Sequence, residues 1–284
     1  MKVRIVIDST ADISAHLAGK FTVVPLTIHF GDEEYIDGVT INHKTFYEKL
    51  VESDVLPTTS QATPDAFSLV FKEAVDAGED VVVITLSSKL SGTYQSAMIA
   101  ASDYEGRVFI VDSKTVAIGT GILAELALKM AESGMSAAEI AEKIESEREN
   151  IRLIAMLDTL EYLKKGGRIS KAVAFAGGIL SIKPVVCIED GEIKVLGKAR
   201  GSKQGNNFLI NEIQTCGGVD FEKPVLLGYT GMSDVLLQKY IEDSTALWEG
   251  HTEALHTTVV GSVVGTHAGP GAVAAAFFKN NVNL

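Results

Sequence analysis

Short apolar runs alternate with amphipathic segments along the first half of the chain. Residues 3–7, 22–30, 81–86 and 108–111 are rich in β-branched and other apolar side chains, which is typical of buried strands. Helical spacing of apolar residues predicts helices over residues 46–51, 64–76, 94–102, 115–133 and 136–150. Apolar strands that alternate with helices predict a parallel sheet, covered on both faces, over about the first 150 residues.

Several polar residues mark predicted helix starts. Thr63 before Pro64 predicts an N-cap with proline at the first helical position. Ser136 and Glu139 have the spacing of a capping box. Residues 8–10, Asp-Ser-Thr, are all common N-cap residues and predict a further helix start directly after the first strand.

The second half of the chain carries a different signal. Strands are predicted over residues 151–156, 225–229 and 255–260, and helices up to residue 165, from 171, over 203–215, over 233–248 and from 271. Apolar segments at residues 184–189 and 192–198 flank Asp190-Gly191, which is a strong signal for a β-hairpin. The first half has no predicted counterpart to this antiparallel element.

Together these patterns predict an α/β protein built from two α/β lobes. The N-terminal lobe has a parallel sheet flanked by helices, and the C-terminal lobe has a mixed sheet with an antiparallel hairpin. We expect the lobes to divide as residues 1–155 and 156–284. A ligand site between them is expected, because binding pockets favour such interfaces.

Charge and composition disfavour several classes of function. The formal net charge of −12 opposes nucleic acids and anionic membranes, which both attract clustered Lys and Arg. The sequence has no run of about 18 uncharged apolar residues and no apparent signal peptide, so we expect a cytoplasmic protein without stable membrane insertion. Cys187 and Cys216 belong to no C-x-x-C pair or histidine cluster, so we expect neither a disulfide nor a metal site.

Motifs of the common enzyme classes are missing from the sequence. It contains no P-loop, H-E-x-x-H, G-x-S-x-G or S-x-x-K motif. Residues 119–124 and 269–274 mimic the dinucleotide pattern G-x-G-x-x-G/A. However, the first lies inside a helical pattern, and the second precedes a predicted helix without a following βαβ unit. We therefore expect no cofactor.

Three polar turns carry the remaining candidate chemistry, at residues 57–61, 86–96 and 265–272. The second turn lies between a predicted buried strand and a predicted helix, where free N–H groups and the helix dipole favour an anion. Ser91 offers a hydroxyl group there, and Gly92 allows the backbone to come close to a ligand. Simple N-capping of the helix is the alternative interpretation.

The other candidates also have two interpretations each. Thr59 and Ser60 offer hydroxyl groups, but they fit a plain loop as well. His267 precedes a predicted helix and is either a ligand-binding group or a hydrogen-bonded structural histidine. Arg168 and Arg200 lie in different turns and either grip a phosphate or an acidic partner, or are solvated surface charges.

Seven widely separated motifs occur in one order along nearly the whole chain. They are Asp8-Ser9-Thr10-Ala11-Asp12, Thr58-Thr59-Ser60-Gln61, Leu-Ser-Ser-x-Leu-Ser-Gly-Thr-Tyr at residues 86–94, Val111-Asp112-Ser113-Lys114, Gly-Gly-Arg-Ile-Ser at residues 166–170, Lys183-Pro184, and Thr-His-Ala-Gly-Pro-Gly-Ala at residues 266–272. This set resembles the DegV family, the bacterial proteins that carry a fatty acid for fatty acid kinase.

The resemblance implies a two-domain α/β fold with a long-chain fatty acid buried between its layers and no catalysis by the chain itself. The carboxylate-binding positions of the family correspond to Thr59 and Ser91. Ser60 and Gly92 adjoin them, and His267 lies close to the head group.

The resemblance also implies a partner. In the family, a separate ATP-binding kinase subunit phosphorylates the bound acid to an acyl phosphate. The basic residues used there correspond to Arg168 and Arg200. This chain departs from the pattern at Gly201, where many relatives have threonine.

Two other functions are compatible with the same residues. A stand-alone small-molecule kinase or hydrolase would use His267 and Asp8 as acid–base groups and would turn over without a second protein. A ligand-sensing regulatory protein would have the same pocket and no kinase partner.

Overall fold

A computed structural model describes residues 2–169 and 182–280 of the chain. The strands in these two stretches are β1 (Val3–Asp8), β2 (Thr22–Val24), β3 (Thr27–Phe30), β4 (Glu33–Ile36), β5 (Thr58–Ser60), β6 (Asp80–Thr85), β7 (Val108–Asp112), β8 (Ile151–Met156), β9 (Ile182–Glu189), β10 (Glu192–Arg200), β11 (Leu226–Tyr229), β12 (His256–Val259) and β13 (Val273–Phe278). The α-helices are α1 (His43–Glu52), α2 (Pro64–Asp76), α3 (Thr93–Ala101), α4 (Ile118–Glu132), α5 (Ala137–Glu147), α6 (Glu161–Lys165), α7 (Gly201–Thr215), α8 (Val235–Asp243), α9 (Thr245–Trp248) and α10 (Ser262–Ala268).

The first sheet has the strand order β2-β1-β6-β7, and all its pairs are parallel. Alternate residues of its central strands enter two different hydrophobic clusters. Val83 packs with Phe67 of α2, whereas Val82 and Ile84 pack with Ile122 of α4. The parallel sheet with both faces covered is therefore confirmed. The predicted N-cap at Thr63 and the capping box at Ser136 are also present.

The predicted strand over residues 22–30 is wrong as a single element. It divides at Pro25, which has no N–H group to continue a hydrogen-bonded ladder. β2 joins the parallel sheet, whereas β3 pairs antiparallel with β4 and β5 in a separate three-stranded sheet. The first half of the chain therefore does contain an antiparallel element, contrary to the prediction.

The predicted helix start at residues 8–10 is also wrong. One carboxylate oxygen of Asp8 accepts hydrogen bonds from the backbone N–H and the hydroxyl group of Thr10. The other accepts a hydrogen bond from the backbone N–H of Leu86. Asp8 is fully buried and ties the end of β1 to the end of β6, and only the short 3₁₀ turn Ala15–Leu17 follows.

The second sheet is mixed and has the order β10-β9-β8-β13-β11-β12. The predicted hairpin is confirmed as β9 and β10, and β11 with β12 is the parallel pair. Helix α4 contacts strands of both sheets, and its residues from Ile118 to Glu125 are buried. The division at residue 155 stays a prediction, and β8, which spans it, belongs to the second sheet.

The C-terminal helix predicted from residue 271 is wrong. Residues 273–278 form β13, which lies between β8 and β11 and is buried along its whole length. The three alanines at residues 274–276 have high helix propensity, but small side chains also fit a strand that is covered on both faces and paired on both edges.

Two other predicted helices differ from the structure or lie outside it. The helix predicted over residues 233–248 consists of α8 and α9. Ser244 lies between them, where its hydroxyl group donates to the carbonyl oxygen of Tyr240 and accepts from the indole N–H of Trp248. The helix predicted from residue 171 lies outside the described residues.

Candidate functional site

A largely apolar cavity lies between the two larger sheets, and we call it the central cavity. It encloses about 970 Å³ of space, with the open solvent at its mouth included. Its aliphatic walls come from both halves of the chain and include Leu26, Leu86, Leu153, Leu157, Val186 and Ile193. The site between the two sheets therefore combines distant parts of the sequence.

Two polar side chains meet at this cavity from different elements. Oγ1 of Thr59 on β5 lies 3.0 Å from Nε2 of His267 on α10, and both residues line the cavity. Side chains alternate along a strand, so Thr58 and Ser60 point to the opposite face of β5. Ser60 still contributes to the cavity lining, but its hydroxyl group lies 2.9 Å from Nε2 of His29.

His267 lies in a different setting from the one predicted. It does not precede a helix. It occupies the last turn of the seven-residue helix α10, and Gly269 with a positive φ then leads towards β13. A histidine at the C-terminal end of a helix meets carbonyl groups rather than N–H donors.

Burial controls the charge of His267. Loss of solvent, and to a smaller extent the nearby Arg168 guanidinium, together lower the pKa of its imidazole from 6.5 to about 4. The ring is therefore neutral at neutral pH and offers one N–H donor. Its Nδ1 atom is buried and has no hydrogen-bond partner among the described residues.

Gly166 is a site residue that sequence reasoning missed. A Cβ atom at this position would overlap Nδ1 of His267, so only glycine leaves room for the ring. The motif at residues 166–170 contains this glycine, but the resemblance gave a role only to Arg168 within it.

The turn with Ser91 and Gly92 connects β6 to α3, as predicted. Ser91 lines the cavity, its Oγ accepts a hydrogen bond from the backbone N–H of Thr93, and the two side-chain oxygens are 3.0 Å apart. Gly92 packs against the amide group of Gln61, which donates from Nε2 to the hydroxyl group of Ser96. Gln61 also lines the cavity, although it was not predicted as a site residue.

The two candidate arginines lie in different environments. Arg168 lines the cavity, and its guanidinium donates to the carbonyl oxygens of Leu90 and Gly166 at 3.1 Å and 2.7 Å. Burial lowers the pKa of Arg168. Arg200 is exposed at the end of β10 and does not line the cavity. The structure therefore brings Arg168, but not Arg200, to the same cavity as Thr59, Ser91 and His267.

The described parts of the chain are residues 2–169 and 182–280. Within these ranges, no cluster of three or more His, Cys, Asp or Glu side chains is arranged to hold a metal ion. None of the helices there combines the length and the apolar character that a membrane span needs.

The sequence matches the profile of a family described as uncharacterised proteins of the DegV family, over residues 2–280. A DegV domain-containing protein from Caldanaerobacter subterraneus subsp. tengcongensis is 38% identical to it, over 98% of this chain and 99% of its own length. Another, from Deinococcus radiodurans, is 32% identical over 97% of this chain and 98% of its own length.

Solved structures with the same fold include proteins that hold fatty acids. A fatty-acid-binding DegV family protein from Thermus thermophilus is 31% identical, with a TM-score of 0.88 over 99% of this chain and 100% of the other. A stearic-acid-binding protein from Eubacterium ventriosum is 26% identical, with a TM-score of 0.84 over 98% of both chains. The fatty acid kinase B3 protein of Streptococcus pneumoniae, loaded with linoleic acid, is 23% identical, with a TM-score of 0.85 over 99% of this chain and 100% of the other. This last similarity concerns the fold alone.

Proposed function

Because the chain belongs to the DegV family, we propose that it binds a long-chain fatty acid by its carboxylate and presents it to a separate ATP-dependent kinase subunit. The acyl chain occupies the central cavity, and its head group lies at Thr59, Ser91 and His267. The chain does no catalysis itself and needs no cofactor. We propose the cytoplasm as its compartment, since the partner consumes ATP.

The contact between Thr59 and His267 at an apolar cavity is the observation that carries this proposal. A buried carboxylate needs hydrogen-bond donors, because an unpaired charge away from water is strongly unfavourable. The hydroxyl group of Ser91 and the Thr59–His267 pair supply such donors, and the hydrogen bond within the pair uses one of its two protons. In a protein with a net charge of −12, the anion depends on these local groups.

The apolar walls suit the other end of the ligand. Burial of an acyl tail contributes about 0.8 kcal/mol per methylene, or on the order of 10 kcal/mol for a long chain before the opposing entropy loss. Relatives from Thermus thermophilus and Eubacterium ventriosum hold fatty acids, and the second holds stearic acid. The proposal extends that ligand class to this chain.

Hydroxyl donors also suit presentation to a kinase. A bidentate arginine clamp would bind the carboxylate more strongly, but it would occupy the oxygen that must attack a phosphate. Single hydroxyl donors leave that oxygen available. We propose that Arg168, which lines the cavity, faces the transferred phosphate, and that exposed Arg200 contacts the kinase subunit.

The enzyme alternative based on Asp8 and His267 has less support. Asp8 does not line the central cavity, and both oxygens of its carboxylate accept hydrogen bonds from buried donors. A general base must instead reach the substrate proton directly or through one water molecule.

Organic extraction of the purified protein followed by mass spectrometry tests the binding proposal. We expect a stoichiometric fatty acid from the wild type and a strong reduction in the Thr59→Ala/Ser91→Ala variant. Thr58→Ala is the matched control, because Thr58 lies on the opposite face of the same strand and is exposed. Wild-type protein that releases no acid and takes up neither hexadecanoic nor octadecenoic acid would refute fatty-acid binding.

A second experiment tests presentation. The loaded protein is incubated with ATP and with a fatty acid kinase subunit, and acyl phosphate is trapped as the hydroxamate. We expect product only when both proteins are present, and a large reduction with Arg168→Gln. Turnover by the chain alone would support the enzyme alternative, whereas binding without any phosphorylation would support a ligand sensor.

A further inference from the structure

Two cavities meet at the same pair of side chains. Leu153 on β8 and Ile188 on β9 line the central cavity, and both also line a second cavity, which we call the polar cavity. The polar cavity encloses about 980 Å³, with its mouth included. We call Leu153 and Ile188 the partition, since they form a wall of both spaces.

Along β8, the partition lies away from the part of the central cavity next to Arg168. Leu157 packs with Leu163 and Ile169, next to Arg168. Leu153 and Leu157 lie on the same face of β8 and its continuation. The two residues are four positions apart, which is about 13 Å along an extended chain. An acyl chain that follows this strand away from the carboxylate site therefore ends at Leu153.

The strand pairing opens beside the partition. β8 and β9 pair only from Ile154 with Cys187 to Met156 with Val185, although β8 begins at Ile151 and β9 continues to Glu189. The next opposed positions would be Leu153 with Ile188. The polar cavity therefore begins where the ladder between the two strands stops.

Charged groups surround the polar cavity on its other sides. They include the cations Lys114, Arg148, Arg152 and Lys279 and the anions Glu149, Glu189 and Asp190. The Nε atom of Arg152 is buried without a hydrogen-bond acceptor among the described residues, and the ion pair of its Nη2 with Glu212 is long, at 3.5 Å.

We propose that the partition of Leu153 and Ile188 determines the length of the acyl chain and requires its far end to be apolar. This inference rests on the proposed function. A methyl end that stops at the partition stays among aliphatic groups. A longer chain would push into charged surroundings, where it would gain no apolar contact and would separate Arg152 from water or from its carboxylate partner.

Shortening the partition should join the two spaces. Leu153→Ala shortens the more buried of the two wall residues and gives room for a longer acyl chain. Each additional buried methylene raises affinity about fourfold. A chain with a carboxylate at its far end would then reach the guanidinium of Arg152, a strong partner for such a group.

The test loads the intact protein with an equimolar mixture of dodecanoic to docosanoic acids and hexadecanedioic acid, and quantifies the bound acids by mass spectrometry. For Leu153→Ala we expect the ratio of acids two carbons beyond the wild-type limit to those at the limit to rise about fifteenfold. We also expect retention of hexadecanedioic acid in this variant, and its loss in Leu153→Ala/Arg152→Met.

Ile154→Ala is the matched control, because Ile154 is also buried but lines neither cavity. Ile188→Val makes a milder change to the same wall, and we expect a smaller shift in the same direction if Leu153→Ala does not fold. An unchanged chain-length distribution in a partition variant that folds and binds acid would overturn the proposal. Equal retention of hexadecanedioic and hexadecanoic acid by the wild-type protein would also overturn it. Wild-type protein without any bound acid would instead refute the proposed function.

Discussion

Nε2 of His267 lies 3.0 Å from Oγ1 of Thr59, although 208 residues separate the two in sequence. The contact joins β5 of the small antiparallel sheet to α10, and both side chains face the central cavity. His267 is neutral in this setting because burial lowers the pKa of its ring. The first two predictions concern this histidine.

His267 should make the stability of the ligand-free protein depend on pH between about 6.5 and 4. Its pKa is about 4 in the folded state and 6.5 as the ordinary value, so the unfolded chain binds more protons in this range. The free energy of unfolding therefore falls as pH decreases from 6.5 to 4, by at most about 3 kcal/mol from this group.

Chemical denaturation of the wild type and of His267→Gln over this range measures the effect. Burial raises the pKa of the carboxyl groups of Asp8, Asp12 and Asp37. These groups titrate in both proteins, so their contribution cancels in the difference between the two unfolding free energies. As pH falls, the free energy of unfolding should decrease more for the wild type than for His267→Gln. Parallel curves would contradict this prediction.

Arg168→Gln should raise the pKa of His267. Burial is the larger cause of the lowered pKa and remains in the variant, whereas the repulsion from the guanidinium is lost. The NMR titration of the imidazole Cε1–H resonance measures the shift. Arg168→Lys keeps the positive charge and should keep the pKa low, and exposed Arg200→Gln should have no effect. A smaller rise with Arg168→Gln than with Arg168→Lys would argue against the electrostatic origin.

Gly92→Ala should displace the side chain of Gln61. The new Cβ atom would overlap the Gln61 amide, so the hydrogen bond from Nε2 to Ser96 is lost. A broken hydrogen bond of this kind costs about 1 kcal/mol of stability. In a double-mutant cycle, Gly92→Ala should cost clearly less in the Gln61→Ala background. Additive effects of the two changes would show that Gln61 is not the neighbour that matters.

Gly121→Ala should destabilise the protein far more than Gly119→Ala. Both glycines are buried in α4, and a Cβ atom at either one meets a close neighbour. At Gly119 the neighbour is the Thr115 side chain, which can rotate, whereas at Gly121 it is the backbone carbonyl group of Asp12. Overpacking that a side chain cannot relieve costs about 3 kcal/mol or more. Thermal unfolding of both variants gives the comparison, and equal melting temperatures would contradict it.

Local sequence patterns determined most of the elements and several of their ends. The N-cap of Thr63, the capping box of Ser136 and the hairpin at Asp190-Gly191 depend on interactions within a few residues, so their patterns were sufficient. The strands of the parallel sheet were recognisable because burial on both faces requires continuous apolar runs. The ordered set of motifs also indicated the family, which the match over residues 2–280 shows.

Tertiary structure decided what depends on distant neighbours. The run at residues 273–278 favours a helix by propensity, but β13 pairs on both edges and is buried on both faces, which makes it a central strand. Pro25 divides one apolar run between two sheets, a result that periodicity alone could not reveal.

The sequence by itself determined which residue types are available to the site: the hydroxyl groups of Thr59 and Ser91, the imidazole of His267 and the charge of Arg168. Only the folded chain decided which of them meet, since Thr59 and His267 come together through two elements 208 residues apart. It also decided that His267 is neutral, because the pKa of a histidine follows its burial and the charges around it, which no local pattern contains.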